Sequence, residues 1–167
     1  MDDGSPADFE LYLLRHAHAG NPANWQGDDA QRPLSPKGRL QAERLGQFLA
    51  DRAFAPDSII SSPRLRARQT ADLVADALGV AVTVDPRLAM ELDLDVVGSL
   101  IEGGGGTSAM LVGHDPDLSD LTATLCGATY LPLRKCALVR IDTALPLQPA
   151  SGILRWLLPP DLLLDRP

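Results

Sequence analysis

The sequence is poor in aromatic residues, in cysteine and in positive charge. Phe, Trp and Tyr make up only 4% of its 167 residues, while 45% of the chain is hydrophobic. Its core must therefore be built from Leu, Val, Ile and Ala. Two cysteines, Cys126 and Cys136, are too few for a disulfide scaffold and suit reduced thiols in a cytoplasmic protein. Against 22 Asp and Glu stand 15 Lys and Arg, giving a formal net charge of -7. Such an acidic surface excludes broad binding to nucleic acid or to anionic membranes, and any anion site must be a local basic pocket. No apolar run approaches the ~20 residues that cross a bilayer. Residues 1–8 are polar and acidic, unlike a cationic leader. They read as a flexible N-terminus, followed by one domain over 9–158 and a tail over 159–167.

What the sequence does contain is organised around Leu11 to Gly20. Leu11, Tyr12, Leu13 and Leu14 form a short apolar run, as expected of a strand buried on both faces. Arg15 and His16 close it, and a small-residue loop follows. A cation and an imidazole fit poorly inside a sheet but well at the carboxyl end of a strand, where open α/β sheets bind ligands. The polar stretch from Asn21 to Pro33 is long for a loop, and long loops are often functional. Ser35-Pro36 then signals a helix start, Ser as N-cap and Pro at the first helical position.

Two later stretches repeat this arrangement. Ser58 to Ser61 predicts a buried strand, Ser62-Pro63 a second cap, and the helix runs to about Leu78 with Gly79 as its stop. Its first turns carry Arg64, Arg66 and Arg68, although positive charge is disfavoured at a helix N-terminus. Three such residues invite an anion. Ala81 to Asp85 predicts a strand, Asp93 to Ile101 a short helix, and Gly103 to Gly106 a flexible connection. Ala109 to Gly113 predicts another strand, ended by His114, with Asp115-Pro116 opening a helix to about Leu125. Cys136 to Ile141 and Gly152 to Leu158 read as two closing strands, and Leu162, Leu163 and Leu164 as a patch packing on the body. The pattern is an α/β fold: a three-layer α/β/α sandwich around a mostly parallel sheet of about six strands, with no cap insertion.

In such a sheet Arg15, His16, Arg66 and His114 meet along one edge. Two cations, two imidazoles and helix N-termini suit a compact dianion, and phosphate fits best because a guanidinium grips two of its oxygens. A neutral imidazole is also a nucleophile toward phosphorus. His16, His18 and His114 would be a metal site only if two arginines beside them tolerated a cation, so no metal and no cofactor is expected.

These segments resemble the histidine phosphatase, or phosphoglycerate-mutase-like, superfamily. Leu13 to Ala17 is similar to its first signature, Ser61 to Thr70 to its second and Val112 to Pro116 to its third. Arg32 to Gly38 resembles a segment of the small SixA-type phosphohistidine phosphatases. The resemblance implies that His16 is the nucleophile and that Arg15, Arg66 and His114 complete the pocket. Many members carry a glutamate after the third strand that protonates the leaving group. Here Met90 stands near that place, which leaves Glu91 or Asp93 as the candidate general acid, or none, as in the SixA-like branch. Arg32 is a candidate substrate contact. The implied activity is metal-independent hydrolysis through a phosphohistidine intermediate, on a phosphorylated protein of the histidine phosphotransfer type. The alternatives are a phosphomonoesterase for a small phosphorylated metabolite, a non-catalytic phosphate-binding module and, from the histidines alone, a metal-dependent hydrolase.

Overall fold

The computed structural model describes residues 8–163. The expected flexible N-terminus, apart from Asp8, lies outside the described residues, as do 164–167 of the tail, including Leu164. The regular elements are β1 (Phe9–Arg15), α1 (Pro36–Ala50), β2 (Ser58–Ser61), α2 (Leu65–Leu78), β3 (Val82–Val84), α3 (Leu94–Gly104), β4 (Ser108–Gly113), α4 (Asp117–Cys126), β5 (Leu138–Thr143) and β6 (Ile153–Leu158). The strands form one six-stranded sheet in the order β3-β2-β4-β1-β5-β6. The pairs β2–β3, β2–β4 and β1–β4 are parallel, while β5 runs antiparallel to both β1 and β6. This is the expected α/β fold.

The two-residue period of β1 divides the core into two layers. Leu11 and Leu13 face Val97, Leu100 and Ile101 of α3 and Leu118 and Leu121 of α4. Tyr12 and Leu14 face Ala42, Leu45 and Leu49 of α1 and Ala71 and Val74 of α2. Each fully buried Leu contributes about 1.5–3 kcal/mol, so both faces of a central strand must be covered. In the α2 layer, Ala67, Ala71 and Ala75 are buried small residues, which lets the helix approach the sheet closely. No helix among the described residues is long and apolar enough to cross a membrane.

The helix starts depart from expectation in an informative way. Ser35 caps α1 as its sequence predicts, accepting a hydrogen bond from Gly38 N at 3.1 Å. Ser62 does not cap α2; that helix starts at Leu65 with Arg64 at its N-cap and no side-chain cap bond. Ser62 Oγ is instead 2.7 Å from His114 Nε2, and accepts from Arg64 N at 3.3 Å. Asp115 is not the N-cap of α4 either: that position is Pro116, without a side-chain cap bond, the helix starts at Asp117, and Asp115 instead accepts from Ser119 N and Oγ. The glycine run is not all connection: Gly103 and Gly104 finish α3, and Gly105 and Gly106 turn the chain with φ of 71° and 75°. The loop from Asn21 to Pro33 holds two short 3-10 turns, Pro22–Asn24 and Asp29–Gln31. In the tail, Leu163 packs against the α1 layer, whereas Leu162 is exposed.

Gly38 explains one feature of the Arg32 to Gly38 segment. A Cβ there would stand 1.9 Å from the carbonyl oxygen of His18. That carbonyl already accepts from Ser35 N at 3.0 Å, so α1 is docked directly on the loop after β1. Gly38→Ala should therefore cost about 1–3 kcal/mol by overpacking, read as a lower unfolding temperature, with loss of phosphate binding as the His18 loop is displaced.

Candidate active site

The carboxyl ends of β1, β2 and β4 lie side by side, because Arg15 pairs with Gly113 and Ser61 with Val112. The residues that follow these strands are therefore brought together. His16 and His114 have ring centroids 5.3 Å apart. Backbone bonds hold the first loop in place: His16 N donates to Gly113 O, and Ala17 N to Thr70 Oγ1 of α2, both at 3.0 Å. Thr70 in turn donates to Arg66 O at 2.7 Å.

The tautomer of His16 follows from its neighbour. Nδ1 lies 2.7 Å from the carbonyl oxygen of Ala17, which can only accept, so Nδ1 carries the proton and Nε2 keeps its lone pair. Burial, followed by the charges of Arg66, Arg15 and Lys135, pushes the His16 pKa from 6.5 down to about 3. His114 is lowered to about 3 by burial first, then by His16, Arg66 and Arg64. Both rings are thus neutral at physiological pH.

Of the three arginines at the start of α2, Arg66 is the buried one, at 4% exposure. Arg68 pairs with Asp72 along the helix at 2.8 Å. Arg66 Nη1 donates to Asp29 O at 2.8 Å, and its Nη2 lies 3.0 Å from Asp29 Oδ2. Arg15 donates to Leu133 O at 2.7 Å and lies 3.2 Å from Asp115 Oδ2. Among the described residues, four buried side-chain polar atoms lack a partner within the protein, and three of them are Arg15 Nε, Arg66 Nε and His114 Nδ1. Such concentration of unsatisfied groups is expected of a ligand site, not of a packed core.

Three other expected residues are placed differently. Arg32 is buried, its Nε 2.7 Å from Asp29 Oδ1 and its Nη1 donating to Ala19 O at 2.6 Å. It ties the long loop to β1's end. Asp93 is the N-cap of α3, accepting from Val96 N at 2.8 Å. Glu91 is exposed, and its charge helps raise the pKa of Asp117, behind burial and Asp120. Met90 is 66% exposed. His18 is bound to α1, its Nδ1 2.7 Å from Ser35 Oγ. Among the described residues no group of three His, Cys, Asp or Glu is placed to hold a metal ion.

Two residues of the site were missed in the sequence. Asp29 carries its carboxylate onto both Arg66 and Arg32. Its signal was the length of the loop that holds it. Lys135 lies in a turn closed by Ala137 N donating to Arg134 O at 2.9 Å, and Cys136 there adopts φ 63°. Cys136 N donates to Arg15 O at 3.0 Å and to His16 O at 3.1 Å, so this turn is fastened to the first loop. Cys136 had looked like the start of a strand, but β5 begins at Leu138.

Two outcomes test this geometry. Asp29→Ala removes the carboxylate that answers Arg66. It should lower stability by about 1–3 kcal/mol in phosphate-free buffer, and inorganic phosphate should raise its unfolding temperature more than that of the wild type. The pKa of His16 and His114 can be read from ring-proton shifts, which should show no midpoint near 6.5. Because the unfolded chain binds those protons first, their contribution to stability falls as pH drops from about 6.5 toward 3.

The geometry has parallels in known proteins. Residues 11–102 match the Histidine phosphatase superfamily (branch 1). An uncharacterized protein of Picosynechococcus sp. is 34% identical over 138 residues, covering 78% of this chain and 83% of that protein. The 8-oxo-(d)GTP phosphatase of Mycolicibacterium smegmatis is 36% identical over 87 residues, which is 52% of this chain but only 26% of that protein. Phosphohistidine phosphatase SixA of Escherichia coli is 24% identical over 160 residues, 91% of this chain and 94% of that protein. A structure of the protein histidine phosphatase SixA complexed with tungstate matches with a TM-score of 0.79 at 24% identity, over 93% of this chain and 100% of that one. The matched family, carried on a sheet whose ends assemble Arg15, His16, Arg66 and His114, establishes that this chain belongs to the histidine phosphatase superfamily.

Proposed function

We propose that this protein is a metal-independent phosphatase that removes the phosphoryl group from phosphohistidine on another protein, through a covalent intermediate on His16. The observation that carries this reading is the state of that ring. It is neutral, its proton is held on Nδ1 by Ala17 O, and Nε2 is left as a nucleophile beside Arg15, Arg66 and His114. The catalytic unit spans 9–158 without a cap insertion. A cytoplasmic setting agrees with the free thiols of Cys126 and Cys136.

In the first step His16 Nε2 attacks phosphorus while the bond to the leaving nitrogen breaks. A phosphoimidazole protonated on its other nitrogen departs as neutral imidazole and needs no acid from the enzyme. In the second step water attacks the phosphorus of phospho-His16, its proton passes to solvent, and His16 is released as the free base. Arg66 and Arg15 balance the charge on the equatorial oxygens throughout, and His114 donates to one of them. The two guanidinium groups in the pocket disfavour a divalent metal.

The preference for phosphorus–nitrogen bonds is supported from the side of the leaving group. Met90 offers no proton, and the carboxylate of Asp93 is taken by the start of α3. The likeness to SixA over most of both chains points the same way. A second reading, a phosphomonoesterase for a small metabolite, is favoured by the likeness to the 8-oxo-(d)GTP phosphatase. It requires an acid, for which exposed Glu91 is the candidate.

Comparison of kcat/KM for a phosphohistidine protein and for sugar and glycerate phosphates decides between them. The protein should be the better substrate, with activity that survives EDTA and is blocked by vanadate. A metabolite ester turned over faster, in a reaction abolished by Glu91→Gln, would establish the second reading. His16→Ala should lose turnover while still binding phosphate, and an acid-labile adduct should form on the wild type. Arg66→Ala should cost on the order of 2–4 kcal/mol of transition-state stabilisation, far more than Arg64→Ala or Arg68→Ala.

A further inference from the structure

Beside the phosphoryl pocket runs an open groove of about 310 Å³ lined by Arg15, His18, Lys37, Gln41, Arg134 and Lys135, together with Pro160 and Asp161. Arg15 is the wall it shares with the catalytic residues. Its charges are unbalanced. Arg134 is paired with Asp161, and Arg15 with Asp115. Lys37 and Lys135 make no hydrogen bond or ion pair with any described residue. Lys37 is the second residue of α1, at the positive end of the helix dipole. Lys135 is half-buried, and the charges that bear on it most are those of Arg15, Arg32, Arg66 and Lys37, all cations.

A chain of net charge -7 has carboxylates to spare, yet among the described residues none forms an ion pair with Lys135. It also holds Lys135 there at some cost, in a turn where Cys136 takes a left-handed conformation. Lys135 is near enough for its charge to lower the pKa of His16, but the phosphoryl group already has other donors. Its oxygens have donors in Arg66, Arg15 and His114, whose Nε, Nε and Nδ1 atoms have no partner within the protein. Resting on the phosphatase reading above, we infer that Lys37 and Lys135 form a second anion subsite, which takes a carboxylate carried by the same substrate as the phosphoryl group. The compact ammonium groups suit a carboxylate without demanding one orientation. The groove is open, so the carboxylate is that of an acidic residue near the phosphohistidine on the partner protein. Arg32, which the sequence suggested for such a contact, is buried under the loop and unavailable for it.

The test has two arms. In the first, p-nitrophenyl phosphate hydrolysis is inhibited with methylphosphonate, phosphonoacetate and 3-phosphonopropionate. The wild type should bind one of the carboxylated phosphonates about tenfold more tightly than methylphosphonate. The double variant Lys37→Met, Lys135→Met should lose that ratio, and Lys37→Arg, Lys135→Arg should keep it. Equal binding in the wild type, or a ratio unchanged in the Met variant, overturns the subsite. In the second arm, phosphohistidine peptides differing only by Glu or Gln beside the phosphohistidine are compared. Preference for the Glu peptide, lost in the Met variant, supports a protein source. A phosphonate ratio without a peptide preference overturns that source and assigns the carboxylate to a small molecule. If no phosphohistidine peptide is hydrolysed at all, the proposed substrate fails, while the first arm still decides the subsite.

Discussion

A guanidinium buried at the end of a parallel sheet must have an anion. Arg66 is in that position, and much of the surrounding structure follows from answering its charge. Within the chain the answer is Asp29, whose carbonyl and carboxylate both meet the guanidinium. That contact obliges the loop after β1 to fold back over the sheet edge. Arg32 then becomes the strut of the loop, bonded to Asp29 on one side and to Ala19 on the other. Leu34 N donating to Gln69 Oε1 at 2.8 Å fastens the end of the loop to α2, directly before α1 begins. A stretch of polar sequence is thereby given a definite path by one buried charge.

The same cations divide the labour of the site. Guanidinium groups stay charged at any working pH, so they can neutralise phosphate without ever competing for its proton. Their field, added to burial, keeps the two imidazoles neutral. A cationic imidazole would hold phosphate well but would have no lone pair with which to attack it. The Ala17 carbonyl removes the remaining ambiguity by holding the proton of His16 on Nδ1. Charge is thus supplied by groups that cannot react, and reactivity by a group that carries no charge.

What was legible in the sequence was whatever a short local pattern encodes. The strands from β1 to β4 stand out as apolar runs, Ser35 as a cap with its proline, and the residues after β1, β2 and β4 as polar groups out of place at strand ends. Convergence then follows from parallel topology alone. What was not legible depends on contacts distant in sequence. Ser62 has the local pattern of a cap, but His114, 52 residues on, takes up its hydroxyl. Asp29 looks like any loop carboxylate until Arg66 is set beside it. Lys135 lies in a turn whose left-handed residue is a cysteine, not a glycine, so no punctuation marks it. Arg32 was visible as a charge near the site, but whether an arginine reaches outward or inward depends on the carbonyls that await it.

The charge of the chain as a whole opposes its proposed chemistry, and distance resolves the opposition. The net charge of -7 repels a phosphorylated substrate at long range. At physiological ionic strength that repulsion is screened over about 8 Å, a length comparable to the site itself. Once a substrate reaches the sheet edge, it meets Arg15, Arg66 and Lys135, whose charges are close and partly desolvated, and so little screened, with the exposed Lys37 beside them. Selection is then made at contact and not during approach. A lone phosphate meets only part of this field, whereas a substrate with a second anion correctly spaced meets all of it. An acidic body with a basic edge therefore favours a ligand whose charges are arranged over one whose charge is merely large.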